Sequence, residues 1–216
     1  MQNIDTIIKI LKANHKTFKK PIVTEISEER NPFKVLISCL LSLRTRDEVT
    51  EKASLRLFNI ADKPEELLKL SNKKIESLIY PVSFYKVKTK RIKEICNVLI
   101  NKYNSKVPNT LEELLKLKGV GRKTAAITLV YGFGIDNYIP VDVHVHVMAN
   151  RLGWVKTKNA DETMDALMKV IHKKYWYDLN DLLVAYGQNI CLTRSPICSK
   201  CKIAKFCPRI GVTQSR

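Results

Sequence analysis

The chain has little glycine, little acid and no long apolar run. Only seven glycines occur in 216 residues. No Asn-Gly or Asp-Gly pair separates two alternating apolar stretches, so hairpin-built sheet is not expected to dominate. An uncharged stretch as long as any in the chain, Thr124 to Ile135, contains two glycines and is too short to cross a bilayer. Asp5 and Lys9 break any apolar run between Met1 and Lys12, so no secretory signal is expected. The chain therefore reads as soluble, cytoplasmic and without membrane attachment. No repeat, low-complexity tract or linker is evident. Acid is the scarcer charge: 21 Asp and Glu stand against 38 Lys and Arg, a formal charge of +17. Self-repulsion on that scale is usually kept because a polyanion is the partner. Nucleic acid is the first candidate and an anionic membrane the second, while a well-solvated Lys-rich surface would need neither. The tail from Leu192 to Arg216 has no acidic residue at all and cannot build a core on its own.

Apolar residues make up 45% of the chain, enough for a core without disulfide staples. They recur at helical spacing. Ile7, Ile10 and Leu11 form one stripe, Val35, Cys39 and Leu43 another, and Ile92, Cys96, Leu99 and Tyr103 a third. Asn31-Pro32 and Asn109-Thr110-Leu111-Glu112-Glu113 read as helix starts, with polar caps ahead of Pro or of an acidic first turn. The most strand-like segment is Tyr138 to Val147, where valines alternate with polar residues. In an all-α chain it becomes an extended turn entering a helix near Asp142. The length allows one large domain or two small lobes.

Four of the six cysteines, Cys191, Cys198, Cys201 and Cys207, fall in the pattern C-x6-C-x2-C-x5-C. Thiolates packed this densely repel one another unless a cation neutralises them, so bound metal is the natural reading. Tetrahedral zinc and a [4Fe–4S] cube both take four sulfurs. Cys39 and Cys96 lie far away on apolar faces and read as buried free thiols.

Leu117-Lys118-Gly119-Val120-Gly121-Arg122-Lys123-Thr124-Ala125 is a second signal. Two glycines bracketing an apolar residue make a tight turn leading into a helix, where backbone N–H groups can approach a phosphate. This helix-hairpin-helix pattern, with Leu114 to Leu117 ending the first helix, speaks for sequence-independent contact with a DNA backbone. Lys123 lies in the first turn of the second helix. Free Lys has a pKa of about 10.4, and a positive helix terminus beside Arg122 would lower it and expose a reactive amine. Nineteen residues further on, Val141-Asp142-Val143-His144-Val145 brings a carboxylate to a helix start. Asp142 there can cap the helix, stabilise positive charge developing at a sugar carbon, or do both. His144 and His146 are two apart and so lie on different helix faces, which suits local hydrogen bonding better than a zinc pair.

The cysteine spacing resembles the [4Fe–4S] loop of endonuclease III and its adenine-glycosylase relatives, and LKGVGRKTA resembles the endonuclease III active-site string. VDVHV is similar to the family's VD-x-H segment. Leu40-Leu41-Ser42-Leu43-Arg44-Thr45-Arg46-Asp47 resembles its LLS-x-Q-T-x-D stretch, and Ser83-Phe84-Tyr85-Lys86-Val87-Lys88 its G-[LF]-Y-x-x-K segment. These matches run from about Pro32 to Cys207, in the family's order. The resemblance implies a six-helix barrel over residues 24–135 and a cluster-bearing helical lobe from residues 1–23 and 136–216. Lys123 would be the Schiff-base lysine and Asp142 the second catalytic group, facing each other across a cleft. The four cysteines would hold a [4Fe–4S] cluster that braces the basic loop Leu192–Ile197 against DNA, with Arg194 at its tip.

The same resemblance implies DNA contacts from Gly119, Val120, Gly121 and Arg122. Arg44 would enter the space left by a flipped nucleotide, and Phe84 would act as a wedge between base steps. Lys86, Lys88, Lys90, Arg91 and Lys93 would follow along the backbone, Lys88 foremost. Departures are Lys118 for the usual Pro, Arg44 for the usual Gln and Val147 for a common Arg. The implied activity is that of a monomeric, nucleoid-associated glycosylase and lyase acting on oxidised pyrimidines and abasic sites in duplex DNA. Alternatives are a thymine or uracil–guanine mismatch glycosylase on the same scaffold, or a DNA-binding module without catalysis.

Overall fold

A computed structural model of the protein describes residues 3–15, 17–18 and 30–216. The chain is all-helical, and no β-strand occurs among the described residues. It folds as two compact units, one taking Met1–Pro21 with Asp136–Arg216 and the other Ile22–Ile135. The boundary expected between residues 23 and 24 lies outside the described residues. Helix α1 (Ile4–His15) belongs to the first unit and buries Ile7, Ile8 and Leu11. Ile10 sits at the edge of that stripe, and Ile8 takes the place expected for it.

The Ile22–Ile135 unit is organised around α2 (Pro32–Ser42). Asn31 caps it, its side chain accepting from the N–H groups of Phe33 and Lys34, and Pro32 supplies a preset first turn. Every residue from Val35 to Leu41 is buried, so this helix is enclosed on all faces rather than amphipathic. Leu43, expected on its stripe, lies beyond the helix end and is exposed. Around α2 pack α3 (Asp47–Phe58), the long α6 (Tyr85–Tyr103), and α8 (Arg122–Ile127) with its π-helical continuation Thr128–Gly132. Two short helices, α4 (Pro64–Lys69) and α5 (Asn72–Ile79), cover α6. A Cβ on Gly132 would lie 2.8 Å from the Cα of Pro32, so this close crossing admits no side chain. Helix α6 buries Ile92, Ile95, Cys96 and Leu99, and ends at Asn104 in the left-handed region. Between it and α8 lies α7 (Leu111–Leu115), capped by Thr110 through Glu113 N–H.

In the other unit, Asp142 opens α9 (Val143–Arg151) after an extended approach, as the alternating valines required. Asn159 caps α10 (Ala160–Val170), and α11 (Trp176–Asn189) packs on both α1 and α9. The ring of Tyr186, fully buried on α11, meets Phe18 edge-on at 5.9 Å. Beyond α11 the chain has only short 3-10 turns, at Cys198–Lys200 and Ala204–Phe206.

Leu36 is wholly enclosed at the centre of α2. Leu36→Ala is expected to lower unfolding free energy by ~2–5 kcal/mol in urea titration, with little loss of helical circular dichroism below the transition.

Candidate functional site

The hairpin between α7 and α8 has the form that the glycines foretell. Gly119 adopts φ +85°, where any side chain would be strained, and a Cβ there would meet the Arg91 side chain at 3.0 Å. Gly121 differs: its backbone is extended and a Cβ would meet nothing within 4 Å. Among the described residues nothing requires glycine at 121. Val120 corrects an expectation. Its side chain is buried and its N–H donates to the Leu117 carbonyl at 3.0 Å, so both turn inward. Helix α7 also stops at Leu115, earlier than expected, leaving the buried Leu117 to anchor the turn.

Arg122 and Lys123 are half-buried in the first turn of α8. The Lys123 charge reaches the buried Cys39 thiol, opposing the burial that pushes that thiol up to about 12.

Two further turns each hold a non-glycine residue in the left-handed region. Arg44 has φ 55° and Phe84 has φ 57°, and both side chains are exposed, Phe84 to 61%. Such residues cost on the order of 1–3 kcal/mol and persist only where their surroundings dictate them. Beside the Arg44 turn lies Lys88, the second correction. It was expected along a DNA backbone, yet it is only 8% exposed and its ammonium points inward. Nζ donates to the carbonyls of Leu41 at 2.8 Å and Leu43 at 2.6 Å, and to Thr45 Oγ1 at 3.2 Å. Three N–H donors thus meet three oxygens. Burial pulls its pKa down to about 8. The same Thr45 hydroxyl accepts from Ser83 N–H at 3.2 Å. The other cations of this stretch divide: Lys93 donates to the Leu68 carbonyl, Arg91 pairs with Glu94 at 3.8 Å, and Lys86 and Lys90 stand in solvent.

In the other unit, Asp142 is a helix cap, Oδ1 accepting from His144 N–H at 2.8 Å and Val145 N–H at 2.9 Å. The carboxylate is thereby fixed at the positive end of α9. His146 engages Thr163 Oγ1 on α10 at 2.7 Å, and the buried Nδ1 of His144 has no hydrogen-bond partner among the described residues. His144 packs on α11, where a Cβ on Gly187 would come within 2.7 Å of the His144 Cβ. Lys123 and Asp142 therefore belong to different units of the chain.

The four spaced cysteines line one small cavity of about 30 Å³, together with Met148, Leu152 and Ile203. Burial pushes the Cys191 and Cys207 thiols up, with Arg151 pulling Cys191 the other way. Keeping several thiolates here requires a positive group among them. A lone zinc would need its sulfurs about 2.3 Å from a common centre. Four sulfurs around one cavity are a donor set that fits either zinc or a metal–sulfur cluster.

Two supporting residues escaped the sequence reading. Arg151, 7% exposed, donates to Cys191 Sγ at 3.3 Å and to the carbonyls of Leu192 at 2.8 Å and Thr193 at 2.7 Å. Tyr186 Oη donates to Cys201 Sγ at 3.4 Å and accepts from Lys202 N–H at 2.9 Å. Arg194 is exposed on the loop that Arg151 gathers. A cation at the end of a helix, just before the glycine that closes it, was the available signal for Arg151.

Comparison with known proteins agrees with this arrangement. The family model for the HhH-GPD superfamily of base excision DNA repair proteins matches residues 37–173. Endonuclease III of Thermotoga maritima is 44% identical over 201 residues, spanning 93% of this chain and 88% of that one. A non-covalent endonuclease III–DNA complex superposes with a TM-score of 0.82 at 32% identity, covering 95% of each chain. A trapped endonuclease III–DNA covalent intermediate gives 0.77 at 34% identity, over 83% of this chain and 84% of that one. With its hairpin, its cysteine cavity and most of its length accounted for in this way, the chain belongs to the HhH-GPD superfamily of base excision DNA repair proteins, in the endonuclease III family.

Proposed function

We propose that this protein is a bifunctional DNA glycosylase and abasic-site lyase that removes oxidised pyrimidines, such as thymine glycol, from duplex DNA. The observation that carries the reading is the half-buried Lys123 two residues after the open Gly121, in a chain so similar to endonuclease III. The damaged nucleotide is extruded from the stack. The Lys123 amine attacks C1′, the C1′–N bond breaks, and the base leaves with its electron pair, taking up a proton. Opening of the sugar ring gives an imine between Lys123 and C1′. Loss of a C2′ proton then expels the 3′ phosphate, breaking the strand by β-elimination. Asp142, held by its cap bonds, stabilises the positive charge developing at the sugar and accepts the proton shed by the attacking amine.

Cys191, Cys198, Cys201 and Cys207 are the residues that would hold a [4Fe–4S] cluster. That group would act as a brace, with Arg151 binding the carbonyls of the loop that carries Arg194. Gly119, Gly121 and Arg122 would meet DNA phosphates, Phe84 would enter the stack, and Arg44 would meet the orphaned base. The protein would work as a monomer on nucleoid DNA in the cytoplasm.

Borohydride reduction on duplex DNA with an abasic site is expected to give a covalent protein–DNA adduct, abolished in Lys123→Ala with the melting temperature retained. A folded wild-type protein that forms no adduct would reduce this reading to a binder. Gly121→Ala is expected to weaken binding to abasic-site duplex several-fold in a fluorescence titration while leaving thermal stability unchanged. The purified protein should be brown and contain iron rather than zinc. Arg151→Met should lower retention of that iron by about 10–100-fold, followed by visible absorbance under chelator.

A further inference from the structure

Among the described residues the Lys88 ammonium has no carboxylate as a hydrogen-bond partner. It spends its donors on two main-chain carbonyls and one hydroxyl of the turn that carries Arg44. Lys88 itself stands on the first turn of α6, four residues after Phe84, whose carbonyl accepts its N–H at 3.0 Å. Thr45 completes the bridge from the other side, since Ser83 N–H donates to the hydroxyl that Lys88 also binds. One buried cation and one hydroxyl therefore join two turns about forty residues apart, each holding a left-handed non-glycine residue with an exposed side chain.

We propose that Lys88 is a positioning residue that locks the Arg44 and Phe84 turns into one rigid opening element, so that both side chains meet the duplex together when a nucleotide is extruded. This rests on the glycosylase reading above. Lys88 touches neither substrate nor reacting atoms. Its contribution falls on duplex opening and leaves imine chemistry at Lys123 alone. Separate turns would each have to find their conformation on the DNA, whereas a preset pair is already ordered before contact.

The test uses Lys88→Met, which keeps the stem and removes the donors, and Thr45→Val, which removes the shared hydroxyl from a half-exposed position. Each is assayed on two substrates: a fully paired duplex with one thymine glycol, and a duplex whose abasic site lies in an unpaired bubble, where opening is already done. Base release from the paired duplex should fall by about tenfold or more in both variants, while adduct formation on the bubble stays at the wild-type rate. A 2-aminopurine beside the lesion should show slower extrusion in the same variants. Equal losses on both substrates, or no loss on either, would overturn the proposal. If Lys88→Met fails to fold, Thr45→Val decides between the same outcomes. Failure of the glycosylase reading itself would look different, since the wild-type protein would then form no adduct on the bubble.

Discussion

A loop that presents a side chain to solvent must leave some of its carbonyls without helical partners, and buried carbonyls cannot stay unbonded. In each unit of this protein a buried cation collects them. Lys88 gathers the carbonyls of Leu41 and Leu43, and Arg151 those of Cys191, Leu192 and Thr193. In both cases the loop so held carries an exposed arginine, Arg44 in one and Arg194 in the other. The difference in headgroup is chemical. A compact ammonium suits three oxygens converging on a point, while the guanidinium fork spans successive carbonyls and a sulfur together. Burying either charge is unfavourable in itself, and neither would remain without these partners.

This division of labour gives the strongly basic composition a finer meaning. A formal charge of +17 measures attraction for a polyanion at long range, but the cations that shape the surface are not all on it. Lys88 and Arg151 are inside, Arg91 lies against Gly119, and Lys93 is tied to Leu68, while Lys86, Lys90 and Arg194 stand in solvent. Counting charges along a helix overstates the face presented outward when some of those side chains turn inward to serve the backbone.

The parts legible in the sequence are those governed by local rules. Asn31, Thr110 and Asp142 cap the helices they precede, because capping needs only a short polar side chain and the next three N–H groups. The Gly119 turn and the four-cysteine spacing were readable for the same reason. Lys88 and Val120 turn inward, against expectation, because their partners are set by packing. Val120 follows the pattern of an exposed turn, yet Leu117 draws it into the core. The Leu41 and Leu43 carbonyls lie 47 and 45 residues from Lys88, and no periodicity within α6 distinguishes an inward lysine from its solvated neighbours. Tyr186 was invisible likewise, being one more aromatic on an apolar helix until the Cys201 sulfur stands beside its hydroxyl.

The two core cysteines carry a consequence for how the molecule meets oxidants. Cys39 and Cys96 are each pushed up to about 12 by burial, so at neutral pH they are almost wholly protonated and shielded. Peroxide and alkylating reagents act on exposed thiolates. Chemical damage to sulfur is thereby kept out of the packed interior of the Ile22–Ile135 unit. Under oxidative stress the helical scaffold built on α2 and α6 would outlast sulfur placed nearer the surface.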